Sequence, residues 1–146
     1  MNLVVTGSRD WPEDDITMIG LVLDRLFWNT DEIEHCYVGY DPSKKQPGGV
    51  DRIVYKEMEW VTKRPNGNVR LHTFPADWDR YGKAAGPIRN ADMLNAAQTL
   101  GGGLVVAFHS SLLVFNNPTS GTNHCARLAE QMGFTVYDIV RNPRPA

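Results

Sequence analysis

The sequence predicts an α/β fold, a three-layer Rossmann-like sandwich with a parallel sheet of about five strands. Two observations carry this prediction. Short apolar, β-branched runs alternate along the chain with longer segments whose apolar residues recur at helical spacing. Glycine- and proline-rich stretches separate these segments, and a regular alternation of strand and helix is typical of parallel βαβ units with right-handed crossovers.

Five short runs are predicted strands, because each is apolar or alternating and is bounded by turn residues. They are residues 3–6, 35–39, 69–74, 104–108 and 135–140. The first run is continuously apolar, as expected for a strand that is buried on both faces of a parallel sheet.

The first two helices are predicted from their start signals and apolar stripes. One begins at Pro12 with three acidic residues in its first turn, and its stripe includes Ile16, Ile19 and Leu23. The other begins at Val50 and ends before a strong turn signal at residues 65–68. Both are expected to cover a face of the sheet.

Two further helices are predicted in the second half of the chain. One starts at Gly86 and Pro87, because proline has no N–H to lose at the first helical position, and it stops at the glycines 101–103. The last opens at residues 120–122 and ends at Gly133. Residues 75–82 are predicted to form a loop, and residues 112–115 form a short element of their own.

Composition and charge narrow the class of protein. With 146 residues, of which 42% are hydrophobic and 22% charged, the chain suits one globular domain over residues 1–146. A formal net charge of −2 gives no overall attraction for nucleic acid or for an acidic membrane. No apolar window is long enough for a membrane span and no basic leader precedes the first strand, so a cytoplasmic protein without a membrane partner is expected.

The two cysteines, Cys36 and Cys125, are far apart in sequence and fall in or beside predicted core elements. They are interpreted as buried free thiols. No His or Cys pair has the spacing of a zinc site, and the sequence predicts neither a metal nor a cofactor.

A ligand site is predicted at the carboxyl ends of the strands, where open parallel sheets bind ligands near the point at which the strand order reverses. Polar, glycine-bearing segments follow the first four strands, and glycine lets the backbone approach a phosphate closely. The predicted binding residues are Gly7, Ser8, Arg9, Gly39, Gly49, Asp51, Trp78, Gly86, Arg89, Asn90, Met93, Ser120, Gly121 and Thr122. For any single glycine, ordinary turn chemistry is the alternative.

Arg89 is the strongest single candidate in this set. It follows a predicted helix start, where free N–H groups and the helix dipole favour an anion, and its guanidinium can hold phosphate or carboxylate in bidentate fashion. Met93 lies four residues further on, which puts it on the same side of the helix. The alternative is that Arg89 pairs with Asp92 on a solvated face.

Several of these segments resemble the YspA-related family of the SLOG superfamily. The resemblance covers nearly the whole chain and is carried by Val-Thr-Gly-Ser-Arg-Asp-Trp at residues 5–11, Gly-Val-Asp at 49–51, the string from Phe74 to Met93 that includes Ala-Gly-Pro-Ile-Arg-Asn-Ala-Asp-Met, Val-Ala-Phe at 106–108, and Gly-Thr at 121–122. The superfamily also contains the LOG phosphoribohydrolases and the DprA proteins. The resemblance implies a Rossmann-like fold with a pocket for nucleotides or nucleotide-derived molecules.

Within that resemblance, Arg89 and Met93 are similar to the Arg-x-x-x-Met of the LOG enzymes, whose arginine faces the ribose-phosphate end of the ligand. Residues 120–122 are similar to the end of their phosphate loop. The catalytic glutamate of those enzymes is replaced by Cys125, which supplies no negative charge at neutral pH without a depressed pKa.

Any hydrolytic activity therefore needs another carboxylate. Asp51 and Asp10 are available, and Asp51 with Arg89 gives the weak catalytic candidates. Helix capping or the binding of a ribose hydroxyl is favoured over catalysis as the role of Asp51. The catalytic residues are otherwise unassigned.

Three functions follow as hypotheses. The leading one is a protein that binds a nucleotide-derived small molecule, as a sensor or sequestering protein. The alternatives are an N-glycoside hydrolase that acts on nucleoside monophosphates and a DprA-like binder of single-stranded nucleic acid, which the net charge disfavours. The apolar residues 112–115 suit an interface, so a homo-oligomer is left open.

A few side chains outside the main set are also candidates for ligand contacts. Trp11 and Tyr81, like Trp78, lie in or near the predicted ligand-edge loops, where an aromatic ring can stack on a base. His109 follows the fourth strand and is a candidate phosphate contact. Lys44 and Lys45 suit either a phosphate-reaching lid or a solvated loop.

Overall fold

A computed structural model describes residues 1–28, 33–40, 42, 49–63 and 69–142. Its sheet has five strands, all parallel, in the order β3-β2-β1-β4-β5. The strands are β1 (Asn2–Gly7), β2 (His35–Val38), β3 (Arg70–Thr73), β4 (Gly103–His109) and β5 (Thr135–Val140). The α/β class and the parallel sheet are confirmed.

Six α-helices occur among the described residues. They are α1 (Thr17–Trp28), α2 (Gly49–Thr62), α3 (Trp78–Tyr81), α4 (Ala85–Thr99), α5 (Leu112–Phe115) and α6 (Gly121–Gln131). The predicted helices that begin near residues 50 and 120 and the short element at 112–115 are confirmed.

The helices cover the sheet on both faces, and β1 shows how its side chains divide between them. Leu3 and Val5 belong to a buried cluster with residues of α1 and α2, whereas Val4 belongs to a second cluster with residues of α4 and α6. Successive side chains of a strand point to opposite faces, so a continuously apolar strand feeds two cores. The result is a three-layer sandwich, in agreement with the predicted Rossmann-like architecture.

The predicted start of the first helix is wrong. Residues 12–15 form a turn, in which the Asp15 N–H donates to the Pro12 carbonyl at 3.1 Å, and α1 begins only at Thr17. The indole of Trp11 donates to the Asp15 carbonyl at 2.8 Å, and Arg141 forms an ion pair with the Asp15 side chain. These contacts hold the acidic segment outside the helix.

The predicted loop at 75–82 is wrong in part. Asp77 caps the short helix α3 by accepting from the Arg80 N–H at 3.1 Å, and a 3-10 turn over Gly82–Ala84 leads directly into α4. The helix α4 therefore starts at Ala85, and Pro87 is its third residue. Its missing N–H costs little there, because N–H groups of the first turn have no partner inside an α-helix.

Two expectations lie outside the described residues: the loop with Lys44 and Lys45 and the turn at 65–68. Among the helices that the structure does describe, none is long and apolar enough to cross a membrane.

Candidate functional site

A cavity of about 550 Å³ lies at the carboxyl edge of the sheet. It is centred where the strand order reverses between β1 and β4, because residues that follow both strands line it. Segments after β1, β2, β3 and β4 all contribute to its wall. The predicted binding residues that line it are Gly7, Ser8, Arg9, Asp51, Trp78, Gly86, Arg89, Asn90, Ser120, Gly121 and Thr122.

Three predicted residues do not line the cavity. Met93 is 1% exposed and packs in the core with Leu94 and Ala97. Met93 lies one helical turn after Arg89 on the same side of α4. At that position its side chain lies in the core beneath the carboxyl edge of the sheet and not at the opening of the cavity. Gly39 and Gly49 lie behind the wall.

These two glycines pack closely against residues of the wall. A Cβ on Gly39 would overlap the guanidinium of Arg89, and a Cβ on Gly49 would meet the carbonyl groups of Ser8 and Arg9. Gly49 also has a φ of 49°, which L side chains rarely adopt. Both therefore support the residues that form the wall.

Arg89 joins the ends of two strands to α4. Its Nη1 donates to the carbonyl of Gly39 at 2.7 Å and, more weakly, to that of Phe74 at 3.4 Å. Its Nε donates to Oδ1 of Asn90 at 2.9 Å. Asp92 is not among the described hydrogen-bond or ion-pair partners of Arg89. The alternative in which Arg89 pairs with Asp92 on a solvated helix face is therefore wrong.

Arg9 and Trp78 form another part of the wall. The guanidinium carbon of the exposed Arg9 lies 4.4 Å from the centre of a ring of the half-buried Trp78, a cation–π geometry. Burial of the guanidinium and the neighbouring Arg89 lower the pKa of Arg9, while Asp51 acts against them. With Lys83, these two arginines give the cavity three cationic side chains.

Asp51 is the third residue of α2, inside its first turn rather than at the capping position. Its Oδ1 is inaccessible to solvent and has no hydrogen-bond partner among the described residues. Burial raises the pKa of Asp51 to about 7, although the nearby Arg89 and Arg9 act to lower it. A carboxylate that titrates near neutrality, in a cleft between two cations, is a recognised mark of a functional site.

Residues at the start of α6 also line the cavity. The Ser120 hydroxyl accepts from the Asn123 N–H at 3.2 Å and so caps the helix. The side chain of Asn123 donates to the carbonyl groups of Phe115 at 2.8 Å and Asn117 at 2.7 Å. These bonds hold the segment 118–120 against the helix and shape the predicted phosphate loop.

Sequence reasoning missed some of the wall. The wall residues that it did not assign to the site are Thr6, Lys83, Pro87, Val114, Pro118, Thr119 and His124, and Asp10, named above as an available carboxylate, lines the wall as well. His124 could have been found, because it lies four residues after Ser120 and thus on the same side of the helix. Its Nδ1 lies 3.3 Å from the Nδ2 of Asn90.

Three candidate side chains have other roles. Trp11 is 1% exposed and packs edge-on against Phe108, so it is not available to stack on a base. His109 is fully buried, with its Nε2 2.8 Å from the carboxylate of Asp138, so it is not a phosphate contact. Tyr81 is exposed beneath the Arg80 guanidinium and does not line the cavity.

Both cysteines are buried free thiols, as expected. Burial raises the pKa of Cys125 to about 12, so this thiol carries no charge at neutral pH. Within the described parts of the chain, no three His, Cys, Asp or Glu side chains group in a way that could hold a metal ion.

Comparisons with known proteins place this chain beside a phage protein. No protein-family model matches the chain. No solved structure matches it either. The Gene 61 protein of Mycobacterium phage D29 is 30% identical over 141 residues, which cover 97% of this chain and 98% of that protein. Its name states no activity.

Proposed function

This chain belongs to the same family as the Gene 61 protein of Mycobacterium phage D29, and we propose from the wall of its cavity that it binds a nucleotide or nucleotide-derived small molecule. The observation that carries the proposal is the convergence of two arginines and the N-terminus of α6 on one cavity at the reversal point of the sheet. Parallel sheets of this kind bind ligands there.

A phosphate group is the anion that suits the site. Arg9, Lys83 and Arg89 supply positive charge, and Gly121 begins a helix of 11 residues whose dipole favours an anion at this end. Arg89 is held in place by three hydrogen bonds, so little side-chain entropy remains to be lost when a ligand binds.

The cavity also has room and a surface for a base. A volume of about 550 Å³ is within the usual range of roughly 300–1,000 Å³ for small-molecule pockets. Trp78 contributes a half-buried ring to the wall, and base stacking on an aromatic ring is worth about 1–3 kcal/mol. These features favour a nucleotide over a bare phosphate.

A thermal-shift screen with product analysis tests this proposal. The panel consists of nucleoside monophosphates, ADP-ribose and its cyclic variants, cyclic di- and oligonucleotides, and NAD. A ligand that binds only the folded state stabilises by an amount that grows with its concentration over Kd. We expect at least one phosphate-bearing compound to raise the midpoint, and a panel without any stabilising compound would contradict the proposal.

Arg9→Ala and Arg80→Ala make a matched pair for that screen. Both remove an exposed arginine, but only Arg9 lines the cavity. We expect the first variant to lose the thermal shift and the second to retain it. Equal shifts in both variants would place binding outside the cavity.

A second function, hydrolysis of an N-glycosidic bond in the bound nucleotide, is favoured by Asp51 alone. Asp51 lines the cavity and has a pKa of about 7, which suits a general base. In that reaction the oxygen of water joins the anomeric carbon, Asp51 takes a proton from the water, and the base leaves with the electron pair of the glycosidic bond. Recovery of free base and sugar phosphate would establish it, whereas an intact ligand would establish a binding protein.

The product analysis of the screen also decides between the wider biological roles. With an intact ligand, we propose a sensor or sequestering protein of the YspA-related SLOG type that acts in the cytoplasm. Binding of single-stranded DNA with a steep salt dependence would instead favour the DprA-like alternative.

A further inference from the structure

Asn90 has an amide orientation that its neighbours determine. It is 3% exposed and lies between Arg89 and His124. A guanidinium has donors and no acceptor, so the atom that meets the Arg89 Nε at 2.9 Å must be the amide oxygen. The amide nitrogen of Asn90 therefore points the other way.

That orientation fixes the imidazole of His124. The Asn90 Nδ2 lies 3.3 Å from His124 Nδ1 and 3.4 Å from the carbonyl of Gly121, and it can only donate to both. A ring nitrogen that accepts a hydrogen bond carries no proton. In this arrangement a neutral His124 carries its proton on Nε2.

We propose that Arg89, Asn90 and His124 form a relay that holds His124 in the Nε2–H form, and that this N–H donates to a phosphate oxygen of the bound ligand. The ligand part rests on the function proposed above. His124 is a half-buried residue of the cavity wall, in the first turns of α6, beside the segment that suits a phosphate. Asn90 is a positioning residue, because it acts on the ligand through His124.

The relay also narrows the class of ligand. Asp51 also lines the cavity, so the wall presents a carboxylate as well as the ring N–H proposed for His124. A sugar phosphate satisfies both, because its phosphate oxygens accept and its hydroxyl groups donate. Ribose 5-phosphate is the simplest probe with these two features.

Long-range ¹⁵N–¹H correlation spectra of the protein without ligand test the relay at neutral pH. The spectra distinguish the two neutral forms of each imidazole, and the chain has only four histidines. We expect wild-type His124 as the Nε2–H form, and a substantial Nδ1–H population in Asn90→Ala. In Asn90→Asp, a carboxylate faces Nδ1, so we expect a proton on that nitrogen. An Nδ1–H form or an imidazolium in the wild type would overturn the relay.

Ribose 5-phosphate binding tests the ligand role separately. We expect His124→Ala to weaken binding about tenfold or more, whereas His124→Gln, which keeps a donor near the Nε2 position, should stay within about threefold. Unchanged affinity in His124→Ala would overturn the donor role. If the wild type binds neither ribose 5-phosphate nor any compound of the nucleotide panel, the donor role and the proposed function both fail, while the spectra still decide the relay.

Discussion

Two half-buried carboxylates, Asp138 on β5 and Asp51 on α2, have different surroundings. Asp138 accepts from the Nε2 of His109 at 2.8 Å and from the guanidinium of Arg127 at 2.6 Å. Burial raises its pKa, but the bonds from Arg127 and His109 outweigh that effect and hold the pKa of Asp138 below its ordinary value. In contrast, the Asp51 Oδ1 has no hydrogen-bond partner in the part of the chain that the structure describes, and burial raises the pKa of Asp51 to about 7.

The difference separates a structural cluster from a binding site. A charge whose partners are supplied by the protein stabilises the fold, whereas a buried oxygen without a partner costs stability that something outside the chain can recover. The Nδ1 of His109 also lacks a partner among the described residues, but it belongs to a ring whose other nitrogen is satisfied. Only Asp51 of these groups lines the cavity.

The largest effect is expected from breaking the structural cluster. Asp138→Ala leaves His109 buried without its partner and should lower the free energy of unfolding by about 2–4 kcal/mol. Urea denaturation followed by circular dichroism measures this change. A loss below about 0.5 kcal/mol would mean that the cluster is not structural.

Arg89→Ala is expected to have the next largest effect, because Arg89 both holds structural hydrogen bonds and lines the cavity. It leaves the Gly39 carbonyl and the Asn90 amide oxygen without their donor, so we expect a loss of about 1–3 kcal/mol in unfolding free energy together with weaker anion binding. Arg9→Ala is the control, since we expect weaker anion binding with stability within about 0.5 kcal/mol. Equal stability losses would remove the distinction between these two arginines.

Asp51→Asn should stabilise the protein, and the gain should depend on pH. Because the folded-state pKa of about 7 lies above the unfolded value of roughly 3.9, the folded state binds the extra proton between these values. The contribution of Asp51 to stability therefore falls as the pH rises from about 4 to 7. We expect a clear gain in the free energy of unfolding at pH 8 and almost none at pH 4.

Urea denaturation of wild type and Asp51→Asn from pH 4 to 8 measures this dependence. The contribution of Asp138 to stability depends on pH with the opposite sign. Because the pKa of Asp138 is lowered in the folded state, this contribution is present above the unfolded-state pKa and is lost as the pH falls through the folded-state pKa. A gain from Asp51→Asn that does not vary with pH would mean that the Asp51 carboxylate is not strained by burial.

Trp78→Leu should have the smallest effect and should act on affinity. Loss of one stacking surface is worth about 1 kcal/mol, or roughly fivefold in Kd, for a ligand that carries a base. Calorimetric titration should show no change for ribose 5-phosphate, which has no base. A similar loss for both ligands would mean that Trp78 shapes the cavity rather than stacks on a base.

The fold could be predicted from the sequence because periodicity and turn residues act locally. The runs at residues 104–108 and 135–140 are strands, and the segments after residues 50 and 120 are helices. The prediction failed where a distant residue determines the local structure. Pro12 looks like a helix start, but contacts from Trp11 and Arg141 hold the next residues in a turn.

The same contrast applies to the site. The rule for parallel sheets placed the glycine-bearing segments on one edge, and most of the predicted residues do line one cavity. Whether a side chain in such a segment faces the opening depends on packing that the sequence does not reveal. Met93 and His109 lie in the core for this reason, and His124 lies in the wall although no motif includes it.

Amide chemical-shift mapping with the most stabilising compound of the nucleotide panel tests most directly whether the cavity is the binding site. We predict that the perturbed amides cluster in the segments 7–10, 86–90 and 120–124, and that Arg9→Ala abolishes these changes at the same ligand concentration. Perturbations concentrated elsewhere, for example along the exposed face of α1, would contradict the central claim.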